Sequence, residues 1–263
     1  MSRRPPPPFL EGEVVQREWL TPRLVRVTLQ GSELGRLEVT QPASSLRVLL
    51  PDPSRPDDLE LPGWDGNRFL LSDGSRPVLR TLTPRHVDRG AGRLQVDVVV
   101  HGQGAASRWA AAAGVGSPAA VSGPARGYVV DPAATELIVG GDETAIAAVS
   151  QIVESAPDGL ALTVLLETPG EESRPVLPDR PGCELSWVDQ RGDVPGAALV
   201  GRMSALAISP AGRLWAAGEA AAMQRLRSRL FTELGVPRTQ ATIRGYWKHG
   251  RTAADDGDGP AAS

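Results

Sequence analysis

The chain has 263 residues, of which 41% are hydrophobic and 22% are charged, and its formal net charge is −3. This length and apolar content suffice for two modest domains or one large one. The slightly acidic balance lacks the strong positive field that non-specific binding of nucleic acid or of anionic membranes requires, so we expect neither partner.

The N-terminal sequence and the cysteine content predict a cytoplasmic protein without a bound metal. The start, MSRRPPPPFL, has four prolines where a secretory signal needs an apolar helical stretch, and no later run reaches membrane-spanning length. The single cysteine, Cys183, excludes an internal disulfide. The three histidines, His86, His101 and His249, lack the spacing of a zinc or iron site.

Short strand-like runs between residues 13 and 121 predict an all-β first half. They are separated by Pro, Gly, Asp and Ser, and they read VVQ from 14, RLVRVTL from 23, LRVLL from 46, PVLRTLT from 77 and RLQVDVVV from 93. Many short strands with turn signals are typical of a barrel or a sandwich. The long polar stretch 51–68 predicts a surface loop.

From about Gly127, strand-like and helix-like segments alternate, as they do in parallel βαβ units. In order they are ELIVGG, DETAIAAVSQIVESA, LALTVLLE, CELSWVD, RLWAAG and EAAAMQRLRSRLFTELG. The sequence therefore predicts an antiparallel β-barrel over residues 13–125 and a doubly wound α/β domain over 126–250. Residues 1–12 and the small, acidic tail 251–263 are predicted to be disordered.

The segment VVVHGQGAASRWAAAAG, residues 98–114, predicts a strand that turns through two glycines into an alanine-rich helix. A helix N-terminus offers unpaired N–H groups and the positive end of the helix dipole, and small residues let a phosphate approach closely. The segment is therefore a candidate pyrophosphate cradle. Taken alone, capping of an ordinary helix by Gly104 and Ser107 explains the same residues and is the commoner case.

Two short segments carry side chains that suit a flat, phosphorylated cofactor. In RTLTPR, 80–85, Arg80 can pair with a phosphate and the hydroxyl of Thr83 can meet the edge of a flavin ring, although such an arginine is usually just solvated. In RGYWKHG, 244–250, Tyr246 and Trp247 either pack back on the sheet or cover a cofactor ring.

Two strand-to-helix turns in the second half lie where open parallel sheets bind nucleotides. The first, GGDETAIAAV at 140–149, lacks the G-x-G-x-x-G fingerprint. Thr144 can donate to a phosphate there, whereas Asp142 and Glu143 would repel one, and helix capping suffices to explain both acids. The second, WAAGEAAAMQRLRSRL at 215–230, contains three arginines that either reach a nucleotide 2′-phosphate or form a solvated face, namely Arg225, Arg227 and Arg229.

Taken in chain order, these segments resemble the siderophore-interacting proteins, the flavin-dependent ferric-siderophore reductases of the ferredoxin-reductase superfamily. The resemblance is carried by LTPRLVRVTLQGSEL (20–34), LRTLTPR (79–85), VVVHGQGAASRWA (98–110), SGPARG (122–127), GGDETAIAAV (140–149), WAAGE (215–219) and GYWKHG (245–250). It covers nearly the whole ordered chain. It implies an N-terminal barrel that binds FAD and a C-terminal domain that binds NADPH or NADH as electron donor.

The resemblance also implies which residues bind. For FAD they are Arg80, on a phosphate, with Thr81, Leu82 and Thr83, and then His101, Gly102, Gly104, Ala105, Ala106 and Ser107 around the pyrophosphate. For the nicotinamide nucleotide they are Gly141, Asp142, Glu143, Thr144, Ala145, Ala217, Gly218 and Glu219, and Trp247 is a further cofactor contact. The basic residues expected to attract an anionic ferric siderophore are Arg47, Arg126 and Lys248.

Two residues depart from the family pattern. Leu82 replaces the tyrosine that stacks on the flavin ring, and Ala105 replaces a proline. A leucine keeps apolar contact but loses ring-on-ring attraction of roughly 0.5 to 1.5 kcal/mol. FAD binding should therefore weaken by about tenfold at most.

The activity that the resemblance implies is FAD-dependent reduction of ferric siderophores by NAD(P)H, in a monomer or weak homodimer. It needs no catalytic acid–base pair, no nucleophile and no protein-bound metal. Two alternatives stay open. One is a flavoenzyme of the same scaffold that acts on another, biosynthetic substrate, and the other is a flavin-free ligand-binding homologue, which the change at Leu82 would suit.

Overall fold

The computed structural model describes residues 6–250, which divide into two compact units, 6–128 and 129–250. The domain boundary predicted from the sequence, after residue 125, lies three residues before the division between these units, after residue 128. The predicted N-terminal disorder is wrong for residues 10–12, because the first strand begins at Leu10 and its first residues pair with Pro118–Val121. The residues LEGE (10–13) follow a run of prolines, and their alternation of apolar and polar residues is too short to predict a strand. Residues 1–5 and the tail 251–263 lie outside the described residues.

The first unit consists of nine strands and one α-helix within residues 6–128. In chain order they are β1 (Leu10–Thr21), β2 (Leu24–Gln30), β3 (Ser45–Leu50), β4 (Gly63–Trp64), β5 (Phe69–Leu70), β6 (Val78–Leu82), β7 (Pro84–Asp88), β8 (Arg93–Val99), α1 (Ala105–Ala112) and β9 (Pro118–Ala125). All five predicted runs are strands. Strands β5, β7 and β9 were not predicted from the sequence, and the predicted surface loop 51–68 contains the short strand β4.

Seven of these strands form one antiparallel sheet in the order β6-β3-β9-β1-β2-β8-β7. Strands β6 and β7 lie at opposite ends of this order, yet only Thr83 separates them along the chain. The two ends of the sheet therefore meet at Thr83, and the sheet closes into the predicted barrel.

The barrel core fixes the position of α1. Val25, Val27 and Leu29 of β2 are fully buried in one cluster, and each such side chain stabilises the fold by roughly 1.5 to 3 kcal/mol. Trp109 and Ala110 of α1 belong to the same cluster. The helix is therefore packed rigidly against the barrel, and its N-terminus lies at the end of β8.

The second unit alternates strands and helices as predicted. Its elements are β10 (Glu136–Asp142), α2 (Ile146–Ser155), β11 (Ala161–Thr168), β12 (Cys183–Asp189), α3 (Ala197–Ser204), β13 (Gly212–Glu219), α4 (Ala220–Ser228) and β14 (Ala241–Trp247). The sequence analysis missed α3, whose short sequence AALVGRMS contains a glycine. No helix within residues 6–250 is both long enough and apolar enough to cross a membrane.

The five strands of the second unit form a parallel sheet in the order β12-β11-β10-β13-β14. From the central strand β10 the chain builds first to one side, with β11 and β12, and then to the other, with β13 and β14. The strand order therefore reverses between β10 and β13. In open α/β sheets, ligands bind outside the carboxyl ends of the strands at such a switch point.

Candidate functional site

In the first unit, the N-terminus of α1 is an open turn of backbone N–H groups. Gly102 and Gly104 have φ angles of 77° and 76°, a conformation that favours glycine. No side chain of residues 6–250 caps the helix at Gly104, and a Cβ built on Gly102 would have no described atom within 4 Å. The unpaired N–H groups of the first turn and the positive end of the helix dipole suit a phosphate.

Ser107 braces this turn. Its Oγ accepts a hydrogen bond of 3.0 Å from the backbone N–H of His101, and the residue is buried. The side chain of Ser107 thus holds the loop 101–104 against the helix, which agrees with the structural alternative raised by the sequence. The N–H groups of Ala105 and Ala106 are left as the candidates for contact with a phosphate.

The predicted flavin motif ends at the closure of the barrel. In the pairing of β3 with β6, Arg80 lies opposite Val48 and Leu82 opposite Leu46, so both lie on the face that carries the core residues of β3. Leu82 packs against this core, and Arg80 is half-buried. Thr83 is buried and lies between β6 and β7, not within a strand as predicted.

The predicted siderophore-binding residue Arg47 does not share a face with Arg80. Arg47 pairs with Thr81, and this pair lies on the opposite face of the sheet. Its guanidinium carbon lies 5.9 Å from the centre of the Phe69 ring, a cation–π contact. Arg126, the second predicted residue, is exposed just after β9.

In the second unit, the carboxylate of Asp142 joins the carboxyl ends of three strands. Its Oδ1 accepts from the backbone N–H and the hydroxyl of Thr144, at 2.9 and 2.6 Å. Its Oδ2 accepts from the backbone N–H of Glu219 and from the indole Nε1 of Trp247, each at 2.8 Å. Burial raises the pKa of Asp142, and these donors offset part of that increase. Asp142 is therefore an internal hydrogen-bonding centre.

The small residues around Asp142 are required by close packing. A Cβ on Gly218, whose φ is 158°, would lie 2.6 Å from Oδ2 of Asp142. A Cβ on Gly141 would lie 2.5 Å from that of Ala145. Ala217 is fully buried beside them. These predicted nucleotide-binding residues bring β10 and β13 together at the switch point.

Glu219 caps helix α4. Its Oε2 accepts from the backbone N–H of Ala222 at 2.7 Å, and its Oε1 accepts from that of His249 at 3.3 Å. Desolvation acts to raise the pKa of Glu219, but the N–H groups of Ala222, Ala221 and His249, together with the charge of Arg225, hold it below its usual value of 4.5.

The lowered pKa of Glu219 predicts a defined pH dependence of stability. A depressed folded-state pKa contributes stability that is present above pH 4.5 and is lost as the pH falls through the folded-state value. Glu219→Gln removes this titration, so its free energy of unfolding should fall less steeply than that of the wild type below pH 4.5. Urea unfolding at a series of pH values measures both slopes, and equal slopes would contradict the prediction.

Glu167 is a third strand-end carboxylate that the sequence analysis missed. It ends the apolar run LALTVLLE, is buried, and accepts from the backbone N–H groups of Gly196 at 2.6 Å and Leu199 at 2.8 Å, at the start of α3. Side-chain carboxylates thus accept from backbone N–H groups in the turn between β10 and α2 and at the starts of α3 and α4. Of the two acids that the sequence offered as caps, Asp142 accepts from the backbone N–H of Thr144, which agrees with that alternative.

Comparison with known proteins assigns both units to one family. Residues 13–128 match the siderophore-interacting FAD-binding domain, and residues 134–250 match the siderophore-interacting protein model. The chain is 34% identical over 266 residues to an uncharacterised protein of Mycobacterium tuberculosis, an alignment that covers 93% of this chain and 92% of that protein. The chain belongs to the siderophore-interacting protein family. The family predicted from the sequence is thereby confirmed.

Two further relatives agree with this family. A siderophore utilization protein from T. fusca, known from its crystal structure, superposes with a TM-score of 0.82 at 31% identity, over 95% of this chain and 97% of that one. The ferric vibriobactin reductase ViuB of Vibrio cholerae is 26% identical over 243 residues, which is 91% of this chain and 89% of ViuB.

One departure from the family motif adds a backbone N–H donor at the start of α1 in this siderophore-interacting protein. Ala105 is the first residue of α1, where the resemblance leads one to expect proline. Proline has no N–H, whereas Ala105 supplies one at the helix start. The alanine therefore enlarges the set of backbone N–H groups available at this helix start.

The three arginines at and after the end of α4 have different partners. Arg227 donates to the backbone carbonyl of Ile243, and Arg229 forms an ion pair with Glu233. Arg225 lines a groove of about 530 Å³ between α3 and α4, with Arg229. The side chains of Arg227 and Arg229 thus bind groups within this siderophore-interacting protein, unlike the free basic face that would reach a 2′-phosphate.

The two aromatic residues of β14, which were expected either to pack on the sheet or to cover a cofactor ring, are placed differently. Tyr246 packs edge-on against Trp215, with ring centroids 6.4 Å apart, so it packs back on the sheet. Trp247 instead lies at the carboxyl edge, bonded to Asp142, with the ring of His249 6.1 Å away. Lys248, the third predicted siderophore-binding residue, is exposed beside it.

Proposed function

We propose that this protein is an FAD-dependent NAD(P)H oxidoreductase that reduces ferric siderophores and thereby releases Fe(II). The observation that carries the proposal is the uncapped, glycine-opened N-terminus of α1, because such a turn suits a pyrophosphate and it lies in a domain of the FAD-binding family. The similarity to a ferric vibriobactin reductase supports the substrate class.

The first unit supplies a phosphate site and an apolar surface for FAD. The N–H groups of Ala105 and Ala106 and the guanidinium of Arg80 would hold its phosphates. The exposed part of Leu82 and the hydroxyl of Thr83 would meet the ring. When bound, FAD accepts a hydride from the nicotinamide nucleotide and releases single electrons to Fe(III).

The second unit would bind the nicotinamide nucleotide at the carboxyl ends of β10 and β13, the switch point of its sheet. Because Asp142 and Glu219 satisfy internal donors, including both donors of Thr144, contacts there fall to the half-buried ring of Trp247 and to nearby backbone groups. The donor is NADPH or NADH.

Iron release follows from ligand chemistry. Hard anionic oxygen ligands hold Fe(III) far better than Fe(II), so one-electron reduction loosens the metal without a protein ligand. In the first unit, Arg47 and Arg126 would raise the local concentration of an anionic ferric siderophore. In the second unit, Lys248 would have the same effect.

The test begins with the absorption spectrum of the purified protein, before and after addition of FAD. NADPH and NADH oxidation is then followed with ferric siderophores, oxygen and free flavin as acceptors. Preferential reduction of ferric siderophores supports the proposal. Turnover of free flavin or oxygen alone would favour another flavoenzyme, and a colourless protein that FAD cannot reconstitute would favour a flavin-free binding protein.

Removal of the exposed cations is expected to weaken substrate attraction. Lys248→Ala and Arg126→Ala should each raise the KM for an anionic ferric siderophore by about threefold, because an exposed charge pair contributes up to about 1 kcal/mol. The effect should shrink as ionic strength rises. Steady-state kinetics at two salt concentrations measure it.

The control is Arg55→Ala, which removes an exposed arginine that pairs with Asp58 in the polar segment 51–68. Its KM should match that of the wild type. An unchanged KM in both Lys248→Ala and Arg126→Ala would exclude these residues from the substrate site.

A further inference from the structure

The side chain of Trp247 spans the switch point of the parallel sheet. Its backbone pairs with Glu219 at the end of β13, while its indole Nε1 lies 2.8 Å from Oδ2 of Asp142 at the end of β10. Strand β14, which carries Trp247, borders β13 and not β10. The indole must therefore reach past the end of β13 to meet Asp142.

Asp142 is held too firmly to follow a moving indole. The same Oδ2 accepts from the backbone N–H of Glu219, and Oδ1 accepts twice from Thr144. An added Cβ on Gly218 would lie 2.6 Å from Oδ2, so the carboxylate occupies the space that a side chain at position 218 would need. Because this buried acceptor is fixed, it defines the orientation of the indole N–H that Trp247 donates to it.

The segment that follows Trp247 is anchored to the same edge. The backbone N–H of His249 donates to Oε1 of Glu219 at 3.3 Å, and Lys248 lies between the two anchors. Trp247 and His249 are therefore tied to β10 and β13 by one carboxylate each. Loss of the indole bond would release the ring of Trp247 from β10, while the pairing with Glu219 and the contact of His249 still hold the backbone.

We propose that Asp142 is a positioning residue for the nicotinamide nucleotide, and that it acts by fixing the indole of Trp247 across the carboxyl ends of β10 and β13. This inference rests on the proposed function, because it concerns the nucleotide that reduces the protein. Asp142 itself does not touch the nucleotide. It pre-orders the aromatic surface against which the nucleotide binds, and so lowers the ordering cost of binding.

Asp142→Asn is the first test. The amide keeps the shape of the carboxylate, but its NH2 group faces either the donors of Thr144 or those of Glu219 and Trp247, so one pair of bonds is lost. We expect the KM for the nicotinamide nucleotide to rise by about tenfold, with kcat changed by less than about twofold. Trp247→Phe, which keeps an aromatic ring and removes the N–H, should do the same.

The double variant distinguishes positioning from direct contact. If Asp142 acts through Trp247, the double variant should show the same KM increase of about tenfold as each single variant. Additive increases, to about a hundredfold, would overturn the proposal, because the two residues would then act independently. Should Asp142→Asn fail to fold, an unchanged KM in Trp247→Phe would overturn it as well.

Glu167→Gln is the matched control. Glu167 is a buried strand-end carboxylate of the same sheet edge, and it accepts two backbone N–H groups without contacting Trp247. Its KM for the nucleotide should stay at the wild-type value even where its melting temperature falls. A KM increase equal to that of Asp142→Asn would show that any carboxylate loss at this edge suffices, which overturns the specific role.

The hydrogen bond itself is measured without turnover. The protein has six tryptophans, and ¹⁵N-labelled indoles give one resonance each, of which Trp247→Phe assigns one. That resonance should exchange slowly with solvent, and Asp142→Asn should shift it. Fast exchange in the wild type would overturn the inference even if turnover is normal. A wild type that oxidises neither NADPH nor NADH would instead refute the proposed function, and the positioning role with it.

Discussion

Gly104→Val is expected to purify without the flavin that we propose the wild type binds. The φ and ψ angles of Gly104, 76° and 155°, lie in a region that is essentially restricted to glycine, and a side chain there costs about 1 to 3 kcal/mol. The added side chain would also stand at the N-terminus of α1, since the Cβ position lies 3.9 Å from Cε1 of His101. Both effects act on the N–H groups that would hold the pyrophosphate.

The expected loss of FAD affinity is at least about a hundredfold, because each hydrogen bond to a charged group contributes about 1.5 to 3 kcal/mol. Absorbance after reconstitution with FAD measures the flavin content, and fluorescence titration measures the affinity. Gly114→Val at the other end of α1 is the control, since a Cβ there has no described neighbour within 4 Å. Normal flavin content in Gly104→Val would exclude the N-terminus of α1 from the FAD site.

The parts of the fold that could be predicted from the sequence are those that depend on patterns of neighbouring residues. The alternation of RLQVDVVV and the helical run after Gly104 are properties of neighbouring residues, so β8, the glycine turn and α1 were predicted within one residue. The parallel βαβ order was equally visible. Helix α3 was missed because eight residues with a central glycine carry too little periodic signal.

The parts of the site that could not be predicted depend on contacts between distant residues. The sequence offered two roles for Asp142, capping or facing a nucleotide, and its bond to Trp247 joins residues 105 positions apart. Likewise, the charged end of LALTVLLE gave the only sequence signal of Glu167, whose partners at the start of α3 lie about thirty residues later. Such pairings follow from strand order, which local patterns do not encode.

Gly218→Ala is expected to destabilise the second unit by at least about 3 kcal/mol, which corresponds to a fall of about 10 °C in Tm. The φ of Gly218 is 158°, and an added methyl group would lie 2.6 Å from Oδ2 and 2.9 Å from Cγ of Asp142. The carboxylate cannot move aside without losing its bonds to Glu219 and Trp247, which would leave buried donors unpaired.

Thermal unfolding followed by circular dichroism measures this fall in Tm. If the two units unfold in separate transitions, the transition of the second unit is the one to compare. Gly201→Ala in α3 is the matched control, because its Cβ position has no neighbour within 4 Å in the described part of the chain. Alanine there should raise stability by up to about 1 kcal/mol through helix propensity. If Gly218→Ala melted within about 2 °C of the wild type, the packing of β13 against Asp142 would not be the constraint that fixes this turn.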